Sequence, residues 1–136
     1  MSTEQDYLIS GEIAWKLVSV SSIDEDTGKL SVIEKGEHFD FNIKRLFFLE
    51  NVPAQSSRGH HYHKELMQII ICLRGNFSLN LEYEGKVKTL HLDQSSKAVI
   101  LNGPVWRYMD RFSKDALMLV GCDRVYSEDE VVYSKS

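Results

Sequence analysis

Short runs in which apolar and polar residues alternate dominate the chain. In "FSLNLEY", the apolar residues Phe77, Leu79 and Leu81 lie on one side, with polar residues between them. A period of two is typical of a half-buried β-strand. Comparable runs predict further strands at "AWKLVSV", "KLSVIEK", "NIKRLFFLE", "HKELMQIIICLRG", "KVKTLHLD", "KAVILN", "VWRYMDR" and "ALMLVGC".

Tight turns separate these strands. The stretch 83–86, "YEGK", predicts a hairpin turn in which Gly85 takes a positive φ, and "DEDTGK" at 24–29 predicts another. No window shows a convincing 3.6-residue period, although Ser127 could cap a short helix with Glu130 three residues later. Many short strands with tight turns predict an all-β fold, and among sandwiches and barrels we favour a jelly roll. The length suits a single domain over 1–136.

Charge and composition limit the partners. The formal net charge is -4 and the sequence pI is about 5.7, which argues against a nucleic-acid binder. No apolar run approaches the ~18 residues that span a bilayer, and the acidic start of the chain does not resemble a signal peptide. Cys72 and Cys122 sit among apolar residues, which predicts buried, reduced thiols. We therefore expect a cytoplasmic protein with no nucleic-acid or membrane partner.

The stretch "RGHHYHKELMQ", residues 58–68, contains three histidines, an arginine and a lysine within eleven residues. On an extended strand His61 and His63 point to one face and Tyr62 to the other, and His60 points with Tyr62 unless the backbone bulges. Beyond a bend, Gln68 would line up with the inward residues of the next strand. A histidine–x–histidine pair on one strand is the arrangement that directs side chains into a cupin barrel.

This pair allows three interpretations. Neutral imidazole is the commonest transition-metal ligand, but Gln68 is a poor ligand, and the permanent charge of Arg107 would repel a cation. Glu65 or His91 could complete a metal site only if the strands place them there. The pair could also be merely structural. We favour acid–base chemistry without metal or cofactor, because the ordinary imidazole pKa of ~6.5 lies near the operating pH.

Four segments, in this order, carry a resemblance to a known family: "DTGKLSVIE", "FNIKRLFFLENV", "SRGHHYHKELMQIIICLRGNFSL" and "LNGPVWRYMDRFSKDALMLVGCDRVYSEDE". Over about Trp15 to Tyr126 the chain resembles the metal-independent cupin 3,4-ketoisomerases that act on dTDP-4-keto-6-deoxyglucose. The resemblance implies a cupin fold, a double-stranded β-helix jelly roll. It also implies a homodimer with exchanged N-terminal strands, and transfer of the ketone from C4 to C3 during deoxysugar synthesis for a surface polysaccharide.

The resemblance also implies roles for individual residues. His61 and His63 match the family's catalytic pair, one as the base at C3 and the other as the shuttle between oxygens or the acid at C4. Arginines are expected to hold the diphosphate by bidentate hydrogen bonds, and an aromatic ring is expected to stack on thymine. The candidate substrate-binding residues are Arg58, Arg45, Lys64, Gln68, Trp106, Arg107 and Tyr108.

Three positions depart from the family pattern. Phe47 and Phe48 stand where the family often has a tyrosine, which bears on the return of the proton. Thr27 replaces an arginine of the early turn, which bears on the C4 epimer, and Arg107 replaces a histidine. Two other functions stay open: a nucleotide-sugar 3,5-epimerase, which would use Tyr108 and Asp110 with a histidine, and a sugar-binding cupin without turnover.

Overall fold

The alternating runs form strands in the computed structural model, which describes residues 6–9 and 12–135, with side chains from residue 14 onward. The strands are β1 Asp6–Ile9, β2 Glu12–Ser19, β3 Ser21–Glu25, β4 Gly28–Val32, β5 Arg45–Glu50, β6 Arg58–His63, β7 Gln68–Arg74, β8 Phe77–Tyr83, β9 Lys86–Leu92, β10 Lys97–Leu101, β11 Trp106–Asp110, β12 Leu117–Cys122 and β13 Val131–Val132.

These strands form two large antiparallel sheets and one hairpin. The first sheet has the order β1-β2-β10-β7-β12-β5, and the second has the order β13-β6-β11-β8-β9. Strands β3 and β4 pair only with each other. The predicted all-β jelly roll of the cupin type is therefore confirmed.

The core lies between the two large sheets, where the alternation predicted it. Phe77, Leu79 and Leu81 of β8 are fully buried against Ile70 and Val99 of the opposite sheet. A second apolar cluster, on the outer face of the six-stranded sheet, contains Ile69, Ile71 and Ala98, with Phe39 and Phe41 packed over it. This explains the unbroken apolar run "IIIC", because β7 is covered on both faces.

Some predicted boundaries differ from the structure. The hairpin turns at Gly85 and Gly28 form with positive φ angles, as predicted. The predicted strand "HKELMQIIICLRG" is interrupted, since β6 ends at His63 and β7 begins at Gln68. The short helix predicted after Ser127 is a single 3-10 turn, Glu128–Glu130, and the Ser127 side chain makes no capping hydrogen bond.

The interruption between β6 and β7 has a polar cause. Glu130 Oε1 accepts hydrogen bonds from the backbone N–H groups of Glu65, at 2.9 Å, and of Leu66, at 3.0 Å. Asp123 Oδ1 accepts a hydrogen bond from the Met67 N–H at 3.0 Å. Because carboxylates from the C-terminal segment take these N–H groups, the chain bends here instead of continuing as one strand.

Two further predictions concern the cysteines and membrane spans. Cys72 and Cys122 are buried free thiols, as predicted. Within residues 6–9 and 12–135, the structure contains no helix that is long and apolar enough to cross a membrane.

Candidate active site

His61 and His63 project from β6 to the same side, as strand alternation requires. Their Nε2 atoms lie 3.1 Å apart, and the rings meet edge to face at 89° with centroids 4.8 Å apart. His63 is 6% exposed, whereas His61 is half-buried. One Nε2–H···Nε2 hydrogen bond therefore joins two imidazoles at the wall of the barrel.

A β-bulge at the start of β6 adds an arginine to this side. Gly59 and His60 take positive φ angles of 100° and 57°. The register shifts there, so that His61 pairs with Arg107 while Arg58 pairs with Met109. Arg107 and Met109 are both buried and point inward, and cross-strand partners share a face. Arg58 consequently lies on the same side as His61, which a regular strand would not allow.

Glycine is required at the bulge. A Cβ at Gly59 would stand 3.1 Å from both the Arg107 carbonyl oxygen and the Tyr108 Cα, in a backbone conformation that L-residues rarely adopt. His60 is supported from outside, since its ring stacks on Tyr108 at 4.7 Å and its Nε2 lies 2.7 Å from the Ser57 hydroxyl. These outer contacts hold the bulge that brings Arg58 and His61 to one face.

Behind the histidines lies a buried guanidinium. Arg107 is 2% exposed, and its hydrogen bonds stay within the protein. Nη1 donates to Gln68 Oε1 at 2.7 Å, Nε donates to the Val105 carbonyl at 2.9 Å, and Nη2 donates to the carbonyls of Asn102, at 2.9 Å, and Gly103, at 3.0 Å. Arg107 is therefore part of the barrel wall and not a free arm that reaches a phosphate.

The charge of Arg107 acts on the histidines. Among the described residues, no carboxylate forms an ion pair with it. Burial lowers its pKa to about 9, so it remains charged at neutral pH. Burial, and then the charge of Arg107, lower the pKa of His63 to about 3. Burial is also the main cause that lowers the pKa of His61, with a smaller contribution from Arg107. Both imidazoles are therefore neutral at pH 7.

Gln68 and the loop before β11 position this guanidinium. The Gln68 amide accepts from Arg107 and donates to Cys122 Sγ at 3.5 Å, and burial is the main cause that raises the pKa of that thiol. The Gly103 carbonyl accepts from Arg107 and also from the His63 backbone N–H at 2.8 Å. A Cβ at Gly103 would lie 2.8 Å from the His63 carbonyl oxygen, so glycine allows the loop to touch β6.

An arginine and two tyrosines lie at the edge of this group. The Arg45 guanidinium of β5 lies over the Phe47 ring at 4.9 Å and the Tyr126 ring at 5.4 Å. The Tyr133 ring contacts His61 with centroids 5.9 Å apart. The sequence did not single out the two tyrosines, because they follow the last predicted strand and no periodic pattern links them to β6.

The structure brings together six of the predicted site residues and separates three. His61, His63, Arg45, Arg58, Gln68 and Arg107 share the inner side. Trp106 and Tyr108 lie on the outer face, because their neighbours Arg107 and Met109 point inward on the same strand. Lys64 is exposed on the bend after β6.

A third ligand for a metal ion is not found next to the histidine pair among residues 6–9 and 12–135. In the part of the chain that the structure describes, no group of three or more His, Cys, Asp or Glu side chains could hold a metal ion. Glu65 instead forms an ion pair with Arg124 at 3.2 Å, and His91 faces the Ser78 hydroxyl at 3.5 Å on the outer side of β9. Neither residue reaches the histidine pair as a third ligand.

Comparisons with known proteins identify relatives of this chain. The chain is 28% identical over 117 residues to the TDP-4-oxo-6-deoxy-α-D-glucose-3,4-oxoisomerase of Aneurinibacillus thermoaerophilus, covering 86% of this chain and 84% of that protein. It is similar to the H51N mutant of the 3,4-ketoisomerase QdtA from Thermoanaerobacterium thermosaccharolyticum in complex with TDP-4-keto-6-deoxyglucose, with 28% identity, a TM-score of 0.86 and coverage of 89% and 88%.

A 3,4-ketoisomerase from Helicobacter canadensis is similarly close, with 27% identity, a TM-score of 0.85 and coverage of 88% of this chain and 90% of that one. The predicted enzyme class, a sugar 3,4-ketoisomerase, is therefore confirmed. The family described as "WxcM-like, C-terminal" (FdtA) matches residues 14–136. The chain belongs to this family.

Proposed function

We propose that this enzyme converts dTDP-4-keto-6-deoxy-D-glucose to a dTDP-3-keto-6-deoxyhexose by proton transfer through His61 and His63. The observation that carries the proposal is the 3.1 Å contact between the two Nε2 atoms beside a buried guanidinium. The substrate is inferred from the relatives, one of which is named as an oxoisomerase of this sugar and another of which was crystallised with it.

A neutral imidazole pair can supply both a base and an acid. Because one Nε2–H is shared, one of the two Nε2 atoms carries a proton and the other carries a lone pair. In the proposed reaction, one imidazole takes the proton from C3, and the C–H electrons form the C3=C4 double bond of an enediolate. The proton of the O3 hydroxyl then passes to the O4 oxyanion. The electrons of the double bond take up a proton at C4, so that C3 becomes the ketone and C4 carries the hydroxyl. No oxidant or reductant is needed.

Arg107 supplies a fixed positive charge for the anionic intermediate. Its hydrogen bonds to three carbonyls and Gln68 hold the guanidinium in one position, so little reorganisation is needed when negative charge develops. Burial, and to a smaller extent this charge, keep both imidazoles neutral, so that a ring nitrogen has a free lone pair. Gln68 then positions Arg107, and its proposed role is support of the guanidinium and not direct recognition of the sugar.

Arg45 and Arg58 are the proposed ligands of the diphosphate. Both lie on the inner side, and their guanidinium groups are not enclosed by protein carbonyls as that of Arg107 is. Guanidinium groups bind phosphate oxygens in pairs of hydrogen bonds. We leave Lys64, Trp106 and Tyr108 out of the substrate site, because the structure places them on the bend or the outer face.

Incubation with dTDP-4-keto-6-deoxyglucose in heavy water, followed by NMR, tests the activity. A 3-keto product with deuterium at C4 is expected. Exchange at C3 and C5 without migration of the ketone would instead identify an epimerase, and an unchanged sugar would identify a binding protein. The geometry does not favour the epimerase, since Tyr108 and Asp110 alternate with the inward Met109 and therefore face outward. Asp110 also accepts a hydrogen bond from Asn80 at 2.9 Å.

We also propose that the enzyme is a homodimer with exchanged N-terminal strands. Every residue of the β3 and β4 strands except Val32 is exposed, and the paired Ile23 and Leu30 are each 54% exposed. An isolated two-stranded hairpin is only marginally stable in water. Leu46 and Phe48 of the edge strand β5 are also largely exposed. A second chain would cover these apolar surfaces.

An engineered disulfide tests the exchange. Lys16 of β2 and Ile100 of β10 are register partners. If β2 pairs with the β10 of the other chain, the double variant Lys16→Cys with Ile100→Cys will oxidise to covalent dimers, with twice the chain mass of 15.7 kDa. Oxidation to monomers only would contradict exchange, and a monomer mass by light scattering would contradict the dimer itself.

For the setting, we propose a cytoplasmic single-domain enzyme in deoxysugar biosynthesis for a surface polysaccharide. The two buried free thiols fit a reducing compartment, where disulfides are rare. The proposed product, a 3-keto sugar, carries a carbonyl that a subsequent amino transfer or reduction could use.

A further inference from the structure

We infer that the C-terminal strap, residues 127–135, forms one wall of the active site, and that Tyr133 contacts the bound sugar beside His61. In this inference the Tyr133 hydroxyl donates a hydrogen bond to the sugar oxygen that carries the negative charge of the enediolate. The inference rests on the proposed function and adds a substrate-contacting residue to it.

The first support is the anchor that precedes Tyr133. The Glu130 carboxylate accepts hydrogen bonds from the N–H groups of Glu65 and Leu66. The Glu130 carbonyl accepts a hydrogen bond from the Lys64 N–H at 2.9 Å. Arg124 lies 3.8 Å from the same carboxylate. These contacts attach the strap to the bend that directly follows the histidine strand, so its position is tied to that of His63.

The second support is the register of β13. Val131 pairs with His63 and Val132 pairs with Tyr62. The next residue, Tyr133, therefore comes opposite His61, and paired residues in an antiparallel ladder share a face. The contact between the Tyr133 and His61 rings, at 5.9 Å and 65°, agrees with this register. Tyr133 thus lies on the side of the catalytic pair and not on the outer face.

The third support is a second anchor after Tyr133. Lys135 Nζ lies 2.8 Å from Glu82 Oε1 and 5.6 Å from the centre of the Trp106 ring. This explains a conspicuous outward tryptophan that the proposed reaction does not use. The strap is held at Glu130 and again at Lys135, and Tyr133 lies between the two anchors.

The exposure of Tyr133 indicates what it is positioned for. The ring is 67% exposed although both of its flanks are anchored, so packing within the chain does not explain its position. In the part of the chain that the structure describes, it is the only tyrosine whose ring contacts His61 or His63. A phenol combines an apolar face for the sugar ring with a hydroxyl donor, and a positioned donor stabilises an oxyanion.

The test compares Tyr133→Phe with Tyr62→Phe. Both changes remove one phenolic hydroxyl and keep the ring, but Tyr62 lies on the outer face of the histidine strand. We expect kcat of Tyr133→Phe to fall about 10²- to 10³-fold with a melting temperature equal to that of the wild type, in line with the loss of one oxyanion donor. Tyr62→Phe should stay within about twofold of the wild type.

Exchange in heavy water distinguishes this inference from the function on which it rests. If Tyr133 stabilises the enediolate, Tyr133→Phe will slow deuterium exchange at C3 of recovered substrate by the same factor as ketone migration. A Tyr133→Phe enzyme with wild-type kcat and exchange would overturn the inference and leave the ketoisomerase standing. A wild-type protein that neither exchanges C3 nor moves the ketone would overturn both.

Discussion

The two faces of the second sheet differ, although the same strands build both. On the inner face, His61, His63 and Arg107 combine neutral imidazoles with a buried charge that no carboxylate neutralises among the described residues. On the outer face, Tyr62, Trp106 and Tyr108 remain partly exposed. Tyr108 stacks on His60, and Trp106 lies under the Lys135 ammonium. Because side chains alternate along a strand, neighbouring residues of β6 and β11 point to opposite faces, one with the histidine pair and one without it.

The difference between the two faces explains why neighbours in a sequence motif need not both belong to the active site. Burial lowers the pKa of His63 the most, and the charge of Arg107 lowers it further, because electrostatic effects are strong where water is excluded. Trp106 flanks Arg107 in sequence but faces solvent, where it anchors Lys135. Three substitutions and a change of pH test the difference between the two faces. They are given in order of the decreasing effect expected on activity or stability.

The largest effect is expected for His63→Asn. Loss of one imidazole removes a general acid or base, and such a change typically lowers the rate about 10²- to 10⁴-fold. We expect kcat/KM to fall about 10³-fold while the melting temperature changes little. Heavy-water exchange also separates the two histidines, since loss of the C3 base abolishes exchange at C3, whereas loss of the shuttle leaves slow exchange without ketone migration.

The matched control is His91→Asn. His91 is an exposed histidine on the outer side of β9. Its replacement should leave activity unchanged within about twofold. Equal losses of activity in His63→Asn and His91→Asn would contradict the assignment of the chemistry to the inner face. Unfolding of His63→Asn would show that this histidine is structural.

Arg107→Met should reduce stability the most. Methionine has no donor, so the buried Gln68 Oε1 and the Val105 carbonyl oxygen lose the Arg107 hydrogen bond, and an unsatisfied buried group costs about 1–3 kcal/mol. The carbonyls of Asn102 and Gly103 lose one of their two donors. We expect the free energy of unfolding, measured by urea titration, to fall by about 3 kcal/mol. Arg74→Met, at an exposed end of β7, should change it by less than about 0.5 kcal/mol. A loss at Arg107 no larger than that at Arg74 would contradict its structural role.

Acid should destabilise the protein through the inner histidines. The pKa of His63 is about 3 in the folded state and ~6.5 in the unfolded chain. Between these values the unfolded state binds the extra proton, so stability is greatest above pH 6.5 and decreases as the pH falls. The decrease amounts to about 1.4 kcal/mol per pH unit below 6.5. The lowered pKa of His61 acts in the same direction.

Urea titrations at pH 7 and at pH 5 measure this dependence. His63→Asn should flatten it, because asparagine does not titrate, whereas His91→Asn should leave it as in the wild type. In the wild-type enzyme, kcat/KM should decrease in acid with a midpoint below the ordinary histidine pKa of ~6.5. A midpoint at pH ~6.5 would show that burial and the charge of Arg107 do not lower the pKa values of the pair.

The smallest effect is expected on the outer face, at Tyr108→Leu. This change removes the ring on which His60 stacks, and an aromatic pair contributes about 0.5–1.5 kcal/mol. We expect a loss of about 1 kcal/mol and a few-fold decrease in kcat/KM, because a looser bulge weakens the placement of Arg58 and His61. Tyr108→Phe keeps the ring and should behave like the wild type. A loss of activity comparable with that of His63→Asn would instead place Tyr108 in the chemistry.

Much of the fold followed from local pattern. Phe77, Leu79 and Leu81 are buried as their alternation predicts, and Gly85 turns the β8–β9 hairpin with the φ that its position demands. The shared face of His61 and His63 follows from the same period of two. These features depend on residues close in sequence, so the sequence determines them without knowledge of the rest of the chain.

Other features required the pairing of distant segments. The bulge at Gly59 and His60 forms where the register with β11 shifts, and this shift puts Arg58 on the same side of the strand as His61. Arg107 was predicted as a phosphate ligand, but its donors are taken by Gln68 and the carbonyls of the preceding loop. Tyr133 reaches His61 only because β13 pairs with β6.

What the sequence determined by itself was the strand pattern, the apolar core, the shared face of the histidine pair and, through the family resemblance, the enzyme class. What only the tertiary structure decided was which charged and aromatic side chains share that pair's face. The physical reason is that alternation specifies two faces for each strand, but register shifts and cross-strand pairing choose which face meets which neighbour. That choice depends on contacts such as the 2.9 Å hydrogen bond between Glu130 and the Glu65 N–H, which join residues far apart along the chain.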